Sequence, residues 1–311
     1  MAATKGARPR RFALSMRAKE ALAGYLFILP WAIGFLVFVA GPMLFSLYAS
    51  FTNYNVTSKF DWIGLANYKK MFFSDPFYWK SVWNTLYFTV FSVPINIVVG
   101  VVSAVLLFQN VPFQRMWRTI FYLPKVLTGV AVLMLWVWVF NPQDGLMNNF
   151  LRSIGVDNPP LWFASPKWSK PALIVMSAWS ATGGILLYLA GLQAIPKQLY
   201  EAAQIDGASG WRQFLNVTLP MLSSTIFFKL ITGINGAMQY WEAALIVTNP
   251  PGSPSNSTLF NGLYIWNTAF RDMKMGYASA MAWVMFIITM ILAAIQFWGS
   301  KRWVYYEGER R

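Results

Sequence analysis

Five stretches of this chain contain no aspartate, glutamate, lysine or arginine, and they constrain the fold more than any other feature. They are residues 21–58, 81–114, 171–196, 243–270 and 275–300. A helix needs about 20 predominantly apolar residues to cross the hydrocarbon core of a bilayer. Charged residues make up only 12% of the chain, against roughly 25% in a typical soluble domain. The sequence therefore predicts an all-α polytopic membrane protein.

The apolar segments divide into six predicted spans, and the charges around them give an orientation. The spans fall near residues 22–50, 82–108, 118–140, 171–193, 221–248 and 278–299. Fourteen lysines and arginines lie on the side that holds both termini, against nine over longer loops on the other side. Because cytoplasmic loops carry an excess of lysine and arginine, both termini are predicted to lie in the cytoplasm.

Composition also disfavours several classes of function. The net charge of +14 is attributed to membrane topology, since no basic motif for nucleic-acid recognition is present. The chain has no cysteine and no histidine, which removes thiolate metal ligands and the usual general base. It also lacks the G-x-x-x-x-G-K-[ST] phosphate loop. The sequence predicts no catalytic residue, no metal site and no nucleic-acid partner, with membrane lipid as the surroundings.

One polar segment, residues 200–220, stands between two predicted spans on the cytoplasmic side. Glu201 is placed near the positive end of a short helix, and Gly207 permits a left-handed turn. Ser209 or Asp206 is suited to cap a second helix. The pattern predicts two short helices joined by a sharp bend, with a small apolar surface suited to a groove on a soluble partner. A purely structural amphipathic or re-entrant loop is the alternative.

This segment resembles the coupling-loop signature of binding-protein-dependent ATP-binding cassette (ABC) importers, which reads E-A-A, three residues, G, nine residues, I, one residue, L-P. The matching residues are Glu201, Ala202, Ala203, Gly207, Val217, Leu219 and Pro220. The single departure is Val217 in place of isoleucine. The neighbouring Asp206-Gly207-Ala208 is similar to the carbohydrate uptake branch, which includes the maltose and glycerol-3-phosphate importer permeases. The similarity extends from about residue 20 to residue 303.

The resemblance implies a type I ABC importer permease fold. It implies a six-helix transmembrane domain at 21–303 with its coupling loop at 196–220, between a basic cytoplasmic tail at 1–20 and a second cytoplasmic tail at 304–311. The location it implies is the bacterial cytoplasmic (inner) membrane, which the chain crosses several times. The coupling residues it implies are Glu201, Ala202, Ala203, Asp206, Gly207, Leu219 and Pro220.

The resemblance also implies an assembly. The chain would pair with a second, homologous permease, which favours a heterodimer. Two ABC ATPase subunits would bind the coupling loops, and an extracytoplasmic solute-binding protein would deliver a sugar, oligosaccharide or sugar derivative. This chain would bind no cofactor, because ATP and magnesium would be held by the partner ATPase.

Polar residues inside the spans are costly and are therefore candidates for the substrate path. In the fifth predicted span they recur at intervals of three, four and three residues, which predicts one shared helix face; they are Thr232, Asn235, Gln239 and Glu242. The full set of candidates is Trp179, Ser180, Gly184, Asn235, Gln239, Tyr240 and Glu242. Hydrogen bonding between helices across the permease dimer, and close packing of the small residues, are the alternatives.

Two lysines, Lys125 and Lys229, also lie inside predicted spans. Their ammonium groups are expected to snorkel to the membrane interface, and a charge partner across the subunit interface is the alternative. A secondary sugar transporter or channel that works without an ATPase is the rival class. Its support is the single carboxylate within a span, Glu242.

Overall fold

The computed structural model describes residues 15–56, 60–109, 112–127 and 129–305, and the regular secondary structure of these ranges is helical. Most of both predicted tails lies outside the described residues. The helices in chain order are α1 Met16–Ala49, α2 Ala66–Phe73, α3 Pro76–Phe108, α4 Gln114–Val126, α5 Gly129–Val139, α6 Leu146–Ser153, α7 Ser169–Ala181, α8 Ile185–Ala194, α9 Lys197–Ile205, α10 Gly210–Met221, α11 Ser223–Met238, α12 Glu242–Val247, α13 Asn261–Trp266 and α14 Met275–Ser300.

The predicted spans correspond to long helices or to bent pairs of shorter ones. α1, α3 and α14 are each long and apolar enough to cross a bilayer. Three pairs satisfy the same criterion together but bend at a short break, α4–α5 by 101°, α7–α8 by 49° and α10–α11 by 63°. With each pair as one span, the described residues contain six. Pro124, two residues before the end of α4, weakens that helix because proline has no backbone donor.

The predicted span 221–248 is not one continuous helix. α11 and α12 are separated by a break of three non-helical residues. The expected common face of Thr232, Asn235, Gln239 and Glu242 is therefore wrong for Glu242, because α11 ends before Gln239 and Glu242 begins a separate helix. The cause is tertiary: the Tyr240 ring, inside the break, stacks on Phe88 of α3 with the ring centroids 4.2 Å apart. This stacking stabilises the position of Tyr240 inside the break.

α3 is the central helix, and it packs against α7, α8 and α11. It contacts α8 at Gly100, where an added Cβ would lie 2.5 Å from Cε2 of Tyr188. Only a glycine fits such a contact. Tyr188 belongs to a buried cluster that also includes Leu192 and Leu222. This cluster lies at the end of the bundle that carries residues 196–222, which we call the loop end; the opposite end is the far end.

At the far end a buried carboxylate joins three helices. Asp75 caps α3 by accepting hydrogen bonds from the backbone N–H groups of Phe77 (2.9 Å) and Tyr78 (3.3 Å). Its other oxygen accepts from the hydroxyls of Tyr264 in α13 (2.6 Å) and Tyr277 in α14 (2.5 Å). Burial raises the pKa of Asp75, but these hydrogen bonds outweigh burial and hold the pKa below its ordinary value. The ionised carboxylate therefore stabilises the junction of α3, α13 and α14.

Candidate coupling surface and central cavity

Residues 196–222, hereafter the polar loop, fold into the two short helices and sharp bend that the sequence predicts. α9 ends immediately before Asp206, and Gly207 follows with a φ of +72°. This is the left-handed conformation that glycine adopts without strain. Ser209 caps α10, its hydroxyl accepting a hydrogen bond from the backbone N–H of Arg212 at 3.5 Å.

The outer surface of the bend carries most of the residues that the resemblance assigns to coupling. Glu201, Ala202, Asp206 and Gly207 are exposed, and Ala203 is half-buried. They lie on consecutive turns of α9 and on the bend that follows it. The geometry therefore brings these five residues together on one part of the surface.

The remaining coupling candidates, Leu219 and Pro220, lie elsewhere on the loop. Both are in the last turn of α10, where Leu219 is half-buried and Pro220 is exposed. This turn leads directly into α11. The pair therefore occupies the junction between the polar loop and a membrane span, and not the bend.

The two most exposed large apolar side chains on the polar loop were not singled out by the sequence pattern. Ile205 is 87% exposed and Trp211 is 68% exposed. Contiguous apolar patches rimmed by polar residues mark sites of protein or membrane contact. The signal in the sequence was present for Ile205, which is an apolar residue between Gln204 and Asp206.

The inner surface of the polar loop is joined to the bundle. The hydroxyls of Tyr200 and Thr218 are hydrogen-bonded at 2.9 Å, which links α9 to α10. Tyr200, Phe214 and Val217 also pack against the buried cluster that contains Tyr188. Packed side chains therefore connect the bend to α8 and α11.

A central cavity lies between α3, α7 and α11, and it has two adjoining parts of about 350 and 370 Å³. Both parts share a polar lining of Asn96, Ser180 and Thr232. The part that we call the lysine end is lined further by Lys125, Lys229, Gly184 and Tyr188. The part that we call the aromatic end is lined further by Phe88, Met176 and Tyr240. Cavities of a few hundred cubic ångströms with few, convergent polar groups are typical of small-molecule sites.

Three of the predicted substrate-path residues line this cavity. Ser180 lines both parts, Gly184 lies at the lysine end and Tyr240 lies at the aromatic end. The Tyr240 hydroxyl is buried and has no hydrogen-bond partner among the described residues. The cavity is thus the place where the fourth and fifth spans bring the candidates together.

The other four candidates lie outside the cavity. Asn235 and Gln239 are hydrogen-bonded to each other and line a separate pocket of about 470 Å³ against α14. Trp179 packs edge-to-face on Trp136 of α5, with the ring centroids 5.8 Å apart. Glu242 is exposed at the start of α12. These residues are therefore not part of one site with Ser180 and Tyr240.

The orientation of Lys229 was not predicted from the sequence. A Cβ added to Gly184, at the break between α7 and α8, would lie 2.7 Å from the Lys229 Nζ. The ammonium group therefore lies beside the break between α7 and α8 and not at the loop end, so the snorkelling interpretation is wrong for this residue. Lys125 lines the same end of the cavity. The apolar sequence around a lysine shows that it lies in a span, but only the packed structure shows the direction of its side chain.

The fold and these two features define a polytopic membrane subunit that presents a bent helical loop at one end and has a partly open cavity with several polar side chains between its spans. The chain belongs to the family of binding-protein-dependent transport system inner membrane components, whose sequence profile matches residues 96–304. It is therefore an inner-membrane permease subunit of an ABC transporter.

Individual relatives agree with this assignment. The chain is 40% identical over 292 residues to the "Probable ABC transporter permease protein YesP" of Bacillus subtilis, covering 94% of both chains. It is 35% identical over 283 residues to the lactose transport system permease protein LacF of Rhizobium radiobacter, covering 89% of this chain and 94% of that one. Its fold matches a chain of a bacterial alginate ABC transporter crystallised with its periplasmic protein, with a TM-score of 0.80 and 24% identity over 91% of this chain and 96% of that chain. The predicted importer permease fold is confirmed.

Proposed function

We propose that this permease moves a sugar, oligosaccharide or sugar derivative into the cytoplasm, driven by ATP hydrolysis on separate ABC ATPase subunits that dock on the polar loop. The observation that carries the proposal is the geometry of that loop. Its bend exposes Glu201 to Gly207, while Tyr200 and Phe214 pack on the bundle core. The loop is thus free on one face and mechanically connected on the other.

The carbohydrate cargo is supported by the cavity and by the relatives. Sugars are bound by hydrogen-bonding side chains together with aromatic surfaces, and the cavity offers Asn96, Ser180 and Thr232 beside Phe88 and Tyr240. LacF is described as a lactose transport permease. The substrate path proposed here therefore runs through Ser180, Gly184 and Tyr240. Asn235, Gln239, Trp179 and Glu242 remain predicted contributors outside the cavity.

The proposed assembly contains a second, homologous permease, two ATPase subunits and an extracytoplasmic solute-binding protein. No residue of α1 between Met16 and Phe35 is buried, and its apolar side chains face outward. Such a surface suits lipid or the apolar flank of a second permease. ATP and magnesium would be held by the ATPase subunits, and the loop end with both termini would face the cytoplasm.

The test is ATP-driven uptake by the complete transporter reconstituted in liposomes, with Ile205→Ser as the informative variant. Full burial of an isoleucine at an interface contributes roughly 1.5–3 kcal/mol, so we expect weaker ATPase binding and slower uptake. The matched control is Phe73→Ser, because Phe73 is 86% exposed but lies on α2 at the far end. It should leave ATPase binding unchanged.

Two results would refute the proposal. One is sugar uptake by the purified permease that continues without ATP and without any ATPase subunit, which would favour a secondary transporter or channel. The other is a complex in which Ile205→Ser and Phe73→Ser weaken ATPase binding equally, because the loop would then have no special part in docking.

A further inference from the structure

The lysine end of the central cavity is a partly open cationic pocket between membrane-spanning helices. Lys125 and Lys229 both line it. The Lys229 Nζ lies beside Gly184, since a Cβ added to Gly184 would be 2.7 Å from it. Two positive charges therefore face the same space.

No counter-charge is available to them within the part of the chain that the structure describes. Neither part of the cavity is lined by an aspartate or a glutamate. The other polar groups at the lysine end are neutral, namely Asn96, Ser180, Tyr188 and Thr232. An ammonium group at membrane depth is costly unless it is paired or hydrated, and intramembrane charges mark substrate and ion pathways. The pocket is therefore complementary to an anionic group.

The position of the pocket favours a transported solute over a lipid headgroup. Lys229 is six residues beyond the start of α11, which places it about 9 Å along the helix at 1.5 Å per residue. Its ammonium group points further inward, to the break between α7 and α8. The phosphate of a lipid headgroup would lie at the loop-end surface of the bilayer, which is the side of Lys229 away from its ammonium group. The neighbouring neutral side chains, by contrast, are placed to bind hydroxyl groups in the same cavity.

We propose that the central cavity binds an anionic saccharide, whose carboxylate, sulfonate or phosphate group is held by Lys229 and Lys125. Asn96, Ser180 and Thr232 bind its hydroxyls, and the aromatic end receives a ring face against Tyr240. This proposal rests on the proposed function, since it names the chemical class of the sugar that the permease carries. An oxyanion offers several acceptor lone pairs, and each ammonium group offers three donors. The match lies in charge and in hydrogen-bonding capacity.

The experiment uses the complete transporter in liposomes, with its binding protein at saturating concentration. The probes are a galacturonic-acid disaccharide and the matching galactose disaccharide, with sulfated and phosphorylated galactosides as further acidic probes. We expect ATP-driven uptake of at least one acidic probe. Lys229→Gln should reduce that uptake at least about 10-fold, the effect of losing one hydrogen bond to a charged group, whereas Lys229→Arg should retain it.

Three comparisons control this result. Lys125→Gln is a second variant that tests the same pocket if Lys229→Gln does not assemble. Lys69→Gln is the matched control, since Lys69 is exposed on α2 at the far end, and it should change nothing. A series of liposomes with and without anionic lipid separates the solute from a lipid headgroup, because binding of the acidic probe should not depend on the lipid.

Several outcomes would overturn the proposal while leaving the proposed function intact. They are ATP-driven uptake of the neutral disaccharide alone, acidic uptake that both lysine variants leave unchanged, and a lysine effect that appears only with anionic lipid. A further outcome would also overturn the proposal: both glutamine variants purify without the second permease. The lysines would then pair with a carboxylate of that partner. If no saccharide of either kind is taken up with ATP, the proposed function itself fails.

Discussion

Gly207 allows the bend of the polar loop to be tested through its backbone alone. Its φ is +72°, and an added Cβ would have no other heavy atom within 4 Å, leaving out its chain neighbours. A side chain at this position therefore meets open space, and its cost is the left-handed backbone. That cost is roughly 1–2 kcal/mol for an ordinary L residue and less for asparagine, which visits this conformation more readily.

We expect Gly207→Ala to reduce the population of the bent loop, relative to competing conformations, by roughly 5- to 30-fold for a cost of 1–2 kcal/mol. Gly207→Asn should lie between wild type and alanine, and Gly207→Val should be at least as costly as alanine because it is β-branched. Gly210→Ala is the matched control. Gly210 lies on the same loop with open space around its Cβ, but its backbone is helical.

The assay is the affinity of the solubilised permease complex for its ATPase subunits, measured together with transport-coupled ATP hydrolysis. The thermal midpoint of each variant in detergent shows that the spans remain folded. The expected order of affinity is wild type, asparagine, alanine and valine, with Gly210→Ala equal to wild type. Wild-type affinity for the alanine and valine variants would refute the argument that docking requires the left-handed bend.

Two further predictions concern the scaffold around the loop and the cavity. Because hydrogen bonds hold the pKa of Asp75 below its ordinary value, its stabilising contribution is fully present above the pKa of an unfolded aspartate and is lost as the pH falls through the folded pKa. Asp75→Asn should therefore lower the thermal midpoint at neutral pH and reduce the further loss on acidification; a midpoint with the wild-type pH dependence would contradict this. Gly100→Ala, which drives a methyl group into the Tyr188 ring, should destabilise the protein by about 1–3 kcal/mol. A double-mutant cycle with Tyr188→Leu should show coupling between the two sites. Additive changes in the free energy of unfolding would show that the contact is unimportant.

The features that the sequence predicts well are those that depend on local chemistry. The spans follow from apolar composition and the bend from Gly207 and Ser209, because each of these signals lies within a few residues of the structure it determines. The break at Gln239 could not be predicted in this way. It depends on Tyr240 stacking on Phe88, which is more than 150 residues away in the chain. The direction of the Lys229 side chain is non-local for the same reason.

The loop and the cavity are connected because they share residues. Tyr188 packs in the cluster beneath Tyr200 and Phe214, and it also lines the lysine end of the cavity. α11 carries Lys229 and meets α10 at a bend of 63°. Packed interiors shift between discrete arrangements and do not deform continuously. We therefore expect a displacement of the polar loop to move α8 and α11 as units against α3, whose far end is joined to α13 and α14 through Asp75. The cavity lies between these elements, so we expect the same displacement to change the distance between Lys229 of α11 and Asn96 of α3, and with it the affinity for the proposed solute.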